Sequence, residues 1–599
     1  MNSPLAFADL RILATSDVHM HLTSWDALHQ RHEEGRGFDI LVSALLRARS
    51  TAKGACILLD NGDSLQGTPV GTHCAAHPNK AGHPWPDILN ALDYDAVGLG
   101  NHDFDFGVPF LERIVRYTNA PTLCASFSQG GVDGVAPSVI LTRDVTLSDG
   151  KTRSIKIGVT SVLPPQTAIW NQRFLAGLIE FDDGVPAAQR AVVDLQENGA
   201  DIVVMLCHSG LGTRQAADDE NFGVSLAHEV EGVDALVLGH THQRFPSVDG
   251  RTDLNGIPAV MSGYAAEALG QIDLSLGWTE SGWHTAGHNA KLLTPRDGDV
   301  PAPSIGALTE SAVKQTEAEL DRTLANTNAG LHTYFGMLMS GPSDALVART
   351  MMDVIKEQVA GSDLADLPLL ASVAPVTMGG VSGPGNYVDI PPGPVQARHI
   401  AMLTPFSNAI WALVLTGAEL IQWVERASVF FGPACGGNGR LVNPDVPSFN
   451  FDMLHGLKAD IDPFRPAMFD ASGQVINPNA RRVRRLSYGD APIDENAKFL
   501  VAMTSFRGAG GGNFPGITKH TQVVRTNHDL CEAVHRSVAR GTISPDHCPT
   551  VWGFVTERPT RVFIETSPHA KAHLDEIAAF EPQLIKENEA GFLEVSVLI

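Results

Sequence analysis

Cys56-Ile57-Leu58-Leu59 runs straight into Asp60-Asn61-Gly62-Asp63, and this eight-residue stretch decides how the rest of the chain reads. A short apolar run bounded by a polar, glycine-containing turn reads as a buried strand that delivers a carboxylate at its carboxyl end. The same arrangement recurs on both sides. Leu10 to Thr15 is a strand ending in Ser16-Asp17-Val18-His19, and Ala96 to Leu99 runs into Gly100-Asn101-His102-Asp103. Ile202 to Cys207 runs into His208, and Ala235 to Leu238 into Gly239-His240-Thr241-His242. Helical spacing lies between them, at Phe38 to Arg49, Asp87 to Leu92 and Ala187 to Asn198, with a further strand at Ser154 to Thr160. Strands alternating with helices predict an α/β domain, and in such sheets the carboxyl ends of strands are where sites are built.

Five strand ends therefore carry Asp, Asn or His. These are hard-to-borderline donors that suit a pair of divalent ions such as Mn, Zn, Co or Fe, with no thiolate required. Asp17 and His19 stand two apart, as do His240 and His242, so on an extended terminus each pair points to one side and clamps one ion. A carboxylate from a separate strand bridges two ions, and Asp63 is the candidate; two ions so held activate water and hold phosphoryl oxygens. Each piece alone has an ordinary reading. Asp-x-His and Gly-Asp are common in turns, His208 suits a satisfied core histidine, and Asn101-His102-Asp103 suits a helix N-cap. Five such clusters, each after an apolar strand, are not accounted for that way.

Composition sets the limits. The 599 residues are 43% hydrophobic and 18% charged, ordinary for a globular chain of several domains. With 43 basic and 67 acidic residues the net charge is −24, which excludes nucleic-acid polymers and anionic membrane as partners over most of the surface. It leaves open a small anionic substrate wherever a bound cation inverts the local field. The seven cysteines (Cys56, Cys74, Cys124, Cys207, Cys435, Cys531 and Cys548) are odd in number and show no Cys-x-x-Cys spacing, so reduced thiols are expected. Met1 to Leu10 has no basic, apolar leader pattern, and no apolar run approaches membrane-spanning length. A cytoplasmic location follows from the sequence as given; a leader missing from this start would make it periplasmic.

The expected organisation is a first domain over residues 1–300, a linker helix within 301–330, read at Ser304 to Leu324, and a second domain over 331–599. Amphipathic helices are expected at Asp344 to Gln358 and Gly417 to Phe430, a strand at Lys498 to Thr504, and a closing helical segment near Ala570 to Phe580.

The series Asp-x-His, Gly-Asp, Gly-Asn-His-Asp, His, Gly-His-x-His resembles the signature of the calcineurin-like metallophosphoesterases. Asp60 through Gly67-Thr68-Pro69, and Leu92-Asp93-Tyr94-Asp95 before Gly100 to Gly107, resemble the 5′-nucleotidase superfamily. Three further stretches are similar to its 2′,3′-cyclic-nucleotide 2′-phosphodiesterase/3′-nucleotidase branch. They are Leu163-Pro164-Pro165-Gln166 with Trp170, Pro447-Ser448-Phe449-Asn450-Phe451-Asp452, and Phe506-Arg507-Gly508 through Phe514.

The resemblance implies a two-sheet sandwich flanked by helices, then an α+β domain that binds the nucleoside. It implies one metal site of Asp17, His19, Asp63 and His242 and another of Asp63, Asn101, His208 and His240. It implies that His102 faces the phosphate, to stabilise charge or protonate the leaving oxygen, with Asp103 orienting its ring. A base would be gripped between Phe506 and either Phe449 or Phe451, the glycines after Phe506 letting backbone approach the ligand. Branch members often carry Tyr at the positions of Phe449 and Phe506, and a basic residue near a Gly-Gly pair where this chain reads Val376-Thr377-Met378-Gly379-Gly380-Val381; Arg507 is the candidate substitute. The implied activity is hydrolysis of 2′,3′-cyclic nucleotides and 3′-nucleotides. The alternatives are a 5′-nucleotidase or nucleotide-sugar hydrolase and, from another class, a non-catalytic nucleotide-binding protein.

Overall fold

A computed structural model describes residues 6–77, 82–213, 220–247, 250–280, 282–406, 408–432, 439–518, 521–541 and 549–599. The chain forms two compact units, Met1–Ala318 and Glu319–Ile599. Five strands of the first unit position the site: β1 (Ala6–Thr15), β2 (Ala55–Asp60), β3 (Ala96–Gly98), β4 (Ile202–Cys207) and β5 (Ala235–Leu238).

β1, β2 and β3 are parallel neighbours in one seven-stranded sheet, whose antiparallel edge is the Leu269–Thr279 and Gly282–Leu293 pair. β4 and β5 are parallel neighbours in a second seven-stranded sheet, between Thr152–Val162 and Ile257–Ser262. Strand alternation sorts the side chains into layers. Ile202, Val204 and Leu206 meet Leu10, Ile12, Ile57 and Leu59 in the core between the sheets. The intervening Val203, Met205 and Cys207 pack outward against Ala188 and Val192 of the Gly184–Glu197 helix and Leu226 of Gly223–Glu229. On the far side of the first sheet, Leu13 and Leu58 share a core with Leu41 and Leu45 of the Phe38–Ser50 helix. Burial on both faces is why these strands read as continuous apolar runs rather than alternating ones. The result is the expected helix-flanked double sheet, with all five carboxyl ends at one edge.

The Pro303–Leu320 helix packs on the first unit through Ile305 and Ala312. It stops short of the expected Leu324, because Thr323–Thr327 is drawn into a ladder with Gly393–Gln396. The second unit is α+β. Its five-stranded sheet runs Met453–His455, Leu369–Val373, Lys498–Thr504, Ala409–Thr416, Val523–Asp529, covered by the Pro342–Gln358 and Gly417–Ala427 helices. Pro568–Phe580 is a 3₁₀ helix and does not close the unit. Two strands follow it, and Leu593–Leu598 becomes the centre of a three-stranded sheet because Val595 and Val597 are fully buried.

Cys56, Cys74, Cys124, Cys207 and Cys531 are free thiols; Cys435 and Cys548 lie outside the described residues. Among the described residues no helix is long and apolar enough to cross a membrane.

Candidate metal centre and aromatic clamp

The five strand ends are tied to one another by their own backbone. Asp17 N–H donates to the Gly62 carbonyl at 3.0 Å and His19 N–H to the Asp63 carbonyl at 2.9 Å. His102 N–H donates to Asp63 Oδ1 at 2.7 Å, and His240 N–H to Asp17 Oδ1 at 3.0 Å. The loops approach so closely that a Cβ on Gly100 would lie 2.2 Å from Asp63 Oδ1, which explains the glycine before Asn101. The clamp geometry differs from the extended termini expected of Asp17/His19 and His240/His242. Asp17, His19, Asp63, His240 and His242 all sit in the left-handed region, with φ of 54°, 48°, 55°, 69° and 57°. That conformation costs non-glycine residues about 1–2 kcal/mol each, and such strain gathers where a site requires it. A sharp turn after each strand, not strand pleat, aims the paired side chains.

Two groups of donor atoms result: Asp17, His19 and His242, and Asp63, His208 and His240. Asn101 joins the second group, its Oδ1 lying 2.9 Å from His240 Nδ1. Asp63 Oδ2 lies between the groups, 3.0 Å from His208 Nε2 and 3.7 Å from His19 Nε2. All seven residues expected to ligate metal are therefore brought together, and the residues present fit a pair of divalent ions. Asp63 Oδ2 and His208 Nε2 are buried and face each other at 3.0 Å without making a hydrogen bond, an arrangement that a cation shared by both would complete. The Nδ1 of His19 faces the Gln66 carbonyl at 2.8 Å and that of His208 faces the Asn61 carbonyl at 2.7 Å. A carbonyl there holds the proton on Nδ1 and leaves the Nε2 lone pair free for an ion. Burial drives the His19 imidazole down to about 3, so it is neutral, and lowers His242 likewise. Burial pushes the Asp63 carboxyl up, but His208, His102 and His19 outweigh it and hold it well below the usual range.

His102 stands beside the cluster, its side chain 42% exposed and its Nδ1 2.8 Å from Asp105 Oδ2. Burial opposes its charge, yet Asp105 and then Asp63 push it up to about 10. Here the structure corrects an expectation: Asp105, not Asp103, orients this ring. The Asp103 carboxylate accepts backbone N–H groups of Gly100, Asp63, Ser64 and Leu65 at 2.8–3.2 Å, capping the Asn101–Phe104 3₁₀ helix and pinning the Asp63 loop. The i, i+3 spacing of His102 and Asp105 on a helical turn was the signal for this pair. Three further residues were not read as part of the site. Trp170 stacks on His240 (5.4 Å, 22°), Tyr264 stacks on His242 (4.6 Å, 23°), and Glu220 Oε1 faces His240 Nε2 at 3.1 Å. Tyr264 and Glu220 stand outside every strand-end motif, so nothing local marks them.

In the second unit, Phe449 and Phe506 come together with ring centroids 6.3 Å apart and planes at 84°. They are 37% and 48% exposed, whereas Phe451 is buried against Phe430 and Trp552 and belongs to the core. Gly511 is needed by the protein itself, since a Cβ there would lie 2.5 Å from the Phe506 ring. Arg507 is not a free cation and cannot stand in for a phosphate-binding residue. Its guanidinium is buried and paired with Asp452 through Nε at 2.9 Å and Nη2 at 2.8 Å. It also donates to the Phe449 carbonyl at 2.6 Å and to the Gly511 carbonyl, so one side chain fixes both aromatic loops from behind.

Residues 10–244 match the calcineurin-like phosphoesterase family model and residues 342–519 the 5′-nucleotidase C-terminal domain model. The 2′,3′-cyclic-nucleotide 2′-phosphodiesterase/3′-nucleotidase of Haemophilus influenzae is 30% identical, over 98% of this chain and 94% of that protein. The chain belongs to the 5′-nucleotidase family of metallophosphoesterases. As a member of that family it is a metal-dependent phosphoric ester hydrolase. The trifunctional nucleotide phosphoesterase YfkN of Bacillus subtilis is 28% identical over 94% of this chain, which spans 40% of that protein's length. The family fold is seen in a putative 5′-nucleotidase of Staphylococcus aureus, 18% identical, with a TM-score of 0.70 over 92% of this chain and 100% of that one.

Proposed function

We propose that the chain hydrolyses 2′,3′-cyclic nucleotides and then the resulting 3′-nucleotides to nucleoside and phosphate. The observation that carries the reading is the convergence of two donor groups on the buried Asp63 Oδ2, which faces His208 of one group and His19 of the other. Asp17, His19, Asp63 and His242 would hold one divalent ion, and Asp63, Asn101, His208 and His240 the other. When bound, two such ions supply an activated water and offset charge on the phosphoryl oxygens. The chain's own groups do the rest. His102, its Nδ1 engaged by Asp105, holds a proton at Nε2 and passes it to the leaving sugar oxygen. Asp103 keeps the Asp63 loop in register with Asn101 by binding the backbone of both segments. Tyr264 and Trp170 hold the His242 and His240 rings in place by stacking. Phe449 and Phe506 take the base; their planes stand at 84°, so one ring turns to sandwich it.

The test is a phosphate-release panel with 2′,3′-cyclic, 3′- and 5′-nucleotides and nucleotide sugars, each with Mn²⁺, Co²⁺ or Zn²⁺. The cyclic and 3′-substrates are expected to have the highest kcat/KM. Preference for 5′-nucleotides or nucleotide sugars would move the assignment within the family, and inactivity with every substrate and metal would leave a nucleotide-binding protein.

A further inference from the structure

A second kind of donor cluster lies wholly within the second unit. His332 and Asp389 are opposite partners in the short Leu331–His332/Asp389–Ile390 ladder, which sets their side chains next to each other. His573 and Glu576 are three apart on the Pro568–Phe580 3₁₀ helix, where i and i+3 eclipse. The tertiary fold brings the two pairs together although His332 and Glu576 are 244 residues apart in the chain. His332 Nε2 lies 2.8 Å from Glu576 Oε2, and His573 Nδ1 lies 2.9 Å from Glu576 Oε1. The two imidazole centroids are 4.5 Å apart, and one donor atom from each of the three residues lies within 4.8 Å of the others.

One carboxylate thus serves two imidazoles from distant segments, a different oxygen to each. The far nitrogen of His573 is backed by Asp389 Oδ2 at 3.6 Å, and that carboxylate is itself held by the Tyr334 hydroxyl at 3.0 Å. A carboxylate behind an imidazole is the support that metal-binding histidines use to fix their ring. His332 is fixed on its other face by stacking on Tyr334 (5.1 Å, 30°), and its side chain is only 10% exposed. Its Nδ1 is buried without a hydrogen-bond partner, while its Nε2 is the nitrogen that faces Glu576. Glu576, 52% exposed, leaves a path from solvent.

We propose that His332, His573 and Glu576 hold a divalent ion of the zinc class, additional to the pair in the first unit. Two imidazole nitrogens and a carboxylate form a three-ligand set that Zn²⁺ accepts with its fourth position open to water. Bound there, the ion ties the Leu331–His332 strand to the Pro568–Phe580 helix across a very long chain loop.

The full chain, stripped by a chelator, reloaded with Zn²⁺ and freed of unbound ion, tests this. Wild type is expected to hold one Zn²⁺ per chain more than Glu576→Gln or His573→Ala, while phosphate release per chain stays within about twofold, because no residue of this cluster is part of the catalytic cluster. Co²⁺ loaded in place of Zn²⁺ is expected to lose a tetrahedral absorption component in both variants. Glu576→Gln alters an exposed side chain, and an unchanged circular dichroism spectrum separates loss of the ion from loss of the fold. Equal zinc contents in wild type and both variants would overturn the proposal.

Discussion

The metal centre of the first unit and the aromatic clamp of the second are built on opposite plans. At the metal centre the backbone is strained and buried polar atoms lack hydrogen bonds: five of the candidate ligand residues have left-handed φ, and Asp63 Oδ2 and His208 Nε2, paired at 3.0 Å, make no hydrogen bond. At the clamp, Phe449 and Phe506 lie outside the left-handed region and half exposed, and Arg507 satisfies the Phe449 and Gly511 carbonyls behind them. The difference teaches how each site gets its precision. The first is specified by turn geometry and gathers the donors of a candidate ion pair, so it is sensitive to any change in donor atoms. The second is braced by one buried side chain, so a change behind the rings reaches the clamp as well as a change in the rings themselves.

Asp63→Asn would strike the first plan at its centre. It is expected to lower turnover by about two orders of magnitude or more, since one oxygen serves both donor groups. Near-normal turnover with both metals retained by elemental analysis would refute the shared-ligand assignment.

His102→Asn sharpens the distinction between holding ions and moving protons. It should cost about a hundredfold in kcat with metal content intact. A parallel fall in metal would make His102 a ligand. Asp105→Asn should leave His102 in place but lower its pKa from about 10. The acid must be protonated to act, so the alkaline limb of kcat should move to lower pH in that variant.

Phe506→Ala should weaken nucleotide binding by about 1–3 kcal/mol, read in KM, similarly for purines and pyrimidines. A small alkyl phosphate ester, which offers no aromatic ring to stack, should be spared. Equal losses on both substrates would make Phe506 a packing residue.

Arg507→Lys tests the brace itself. A lysine cannot reproduce the two-nitrogen pairing with Asp452. The stability should fall by about 1–3 kcal/mol, read as a lower melting temperature, and the nucleotide KM should rise severalfold with the alkyl-ester kcat unchanged. Unchanged nucleotide KM would show that the clamp holds itself.

The smallest effect concerns His455, at the end of the Met453–His455 edge strand, which burial drives down to about 4. It is neutral in the fold but takes a proton when unfolded, so its contribution is complete above about pH 6.5 and is lost as pH falls towards 4. The loss in urea midpoint between pH 7 and pH 5 should be smaller in His455→Gln than in wild type.

Much of this protein is legible in one dimension. Apolar strands buried on both faces announce themselves, and Ile202–Cys207 and Ala235–Leu238 have in the structure the limits that their composition predicts. The candidate ligand residues are legible for the same reason: they follow those strands directly, at the one end of a parallel sheet where a site can form. What the fold alone decided are relations between residues that no local pattern links. Asp103 reads as a partner for His102, but four backbone N–H groups from two loops converge on it and leave the ring to Asp105. Arg507 reads as a cation beside a glycine run, but Asp452 and the Phe449 carbonyl, over fifty residues earlier, bury it. Tyr264, Glu220 and the His332–His573–Glu576 cluster carry no signal at all until distant segments meet. The physical reason is that periodicity encodes which face of an element is buried, whereas hydrogen bonds and ion pairs across 40 to 244 residues depend on where the elements come to rest.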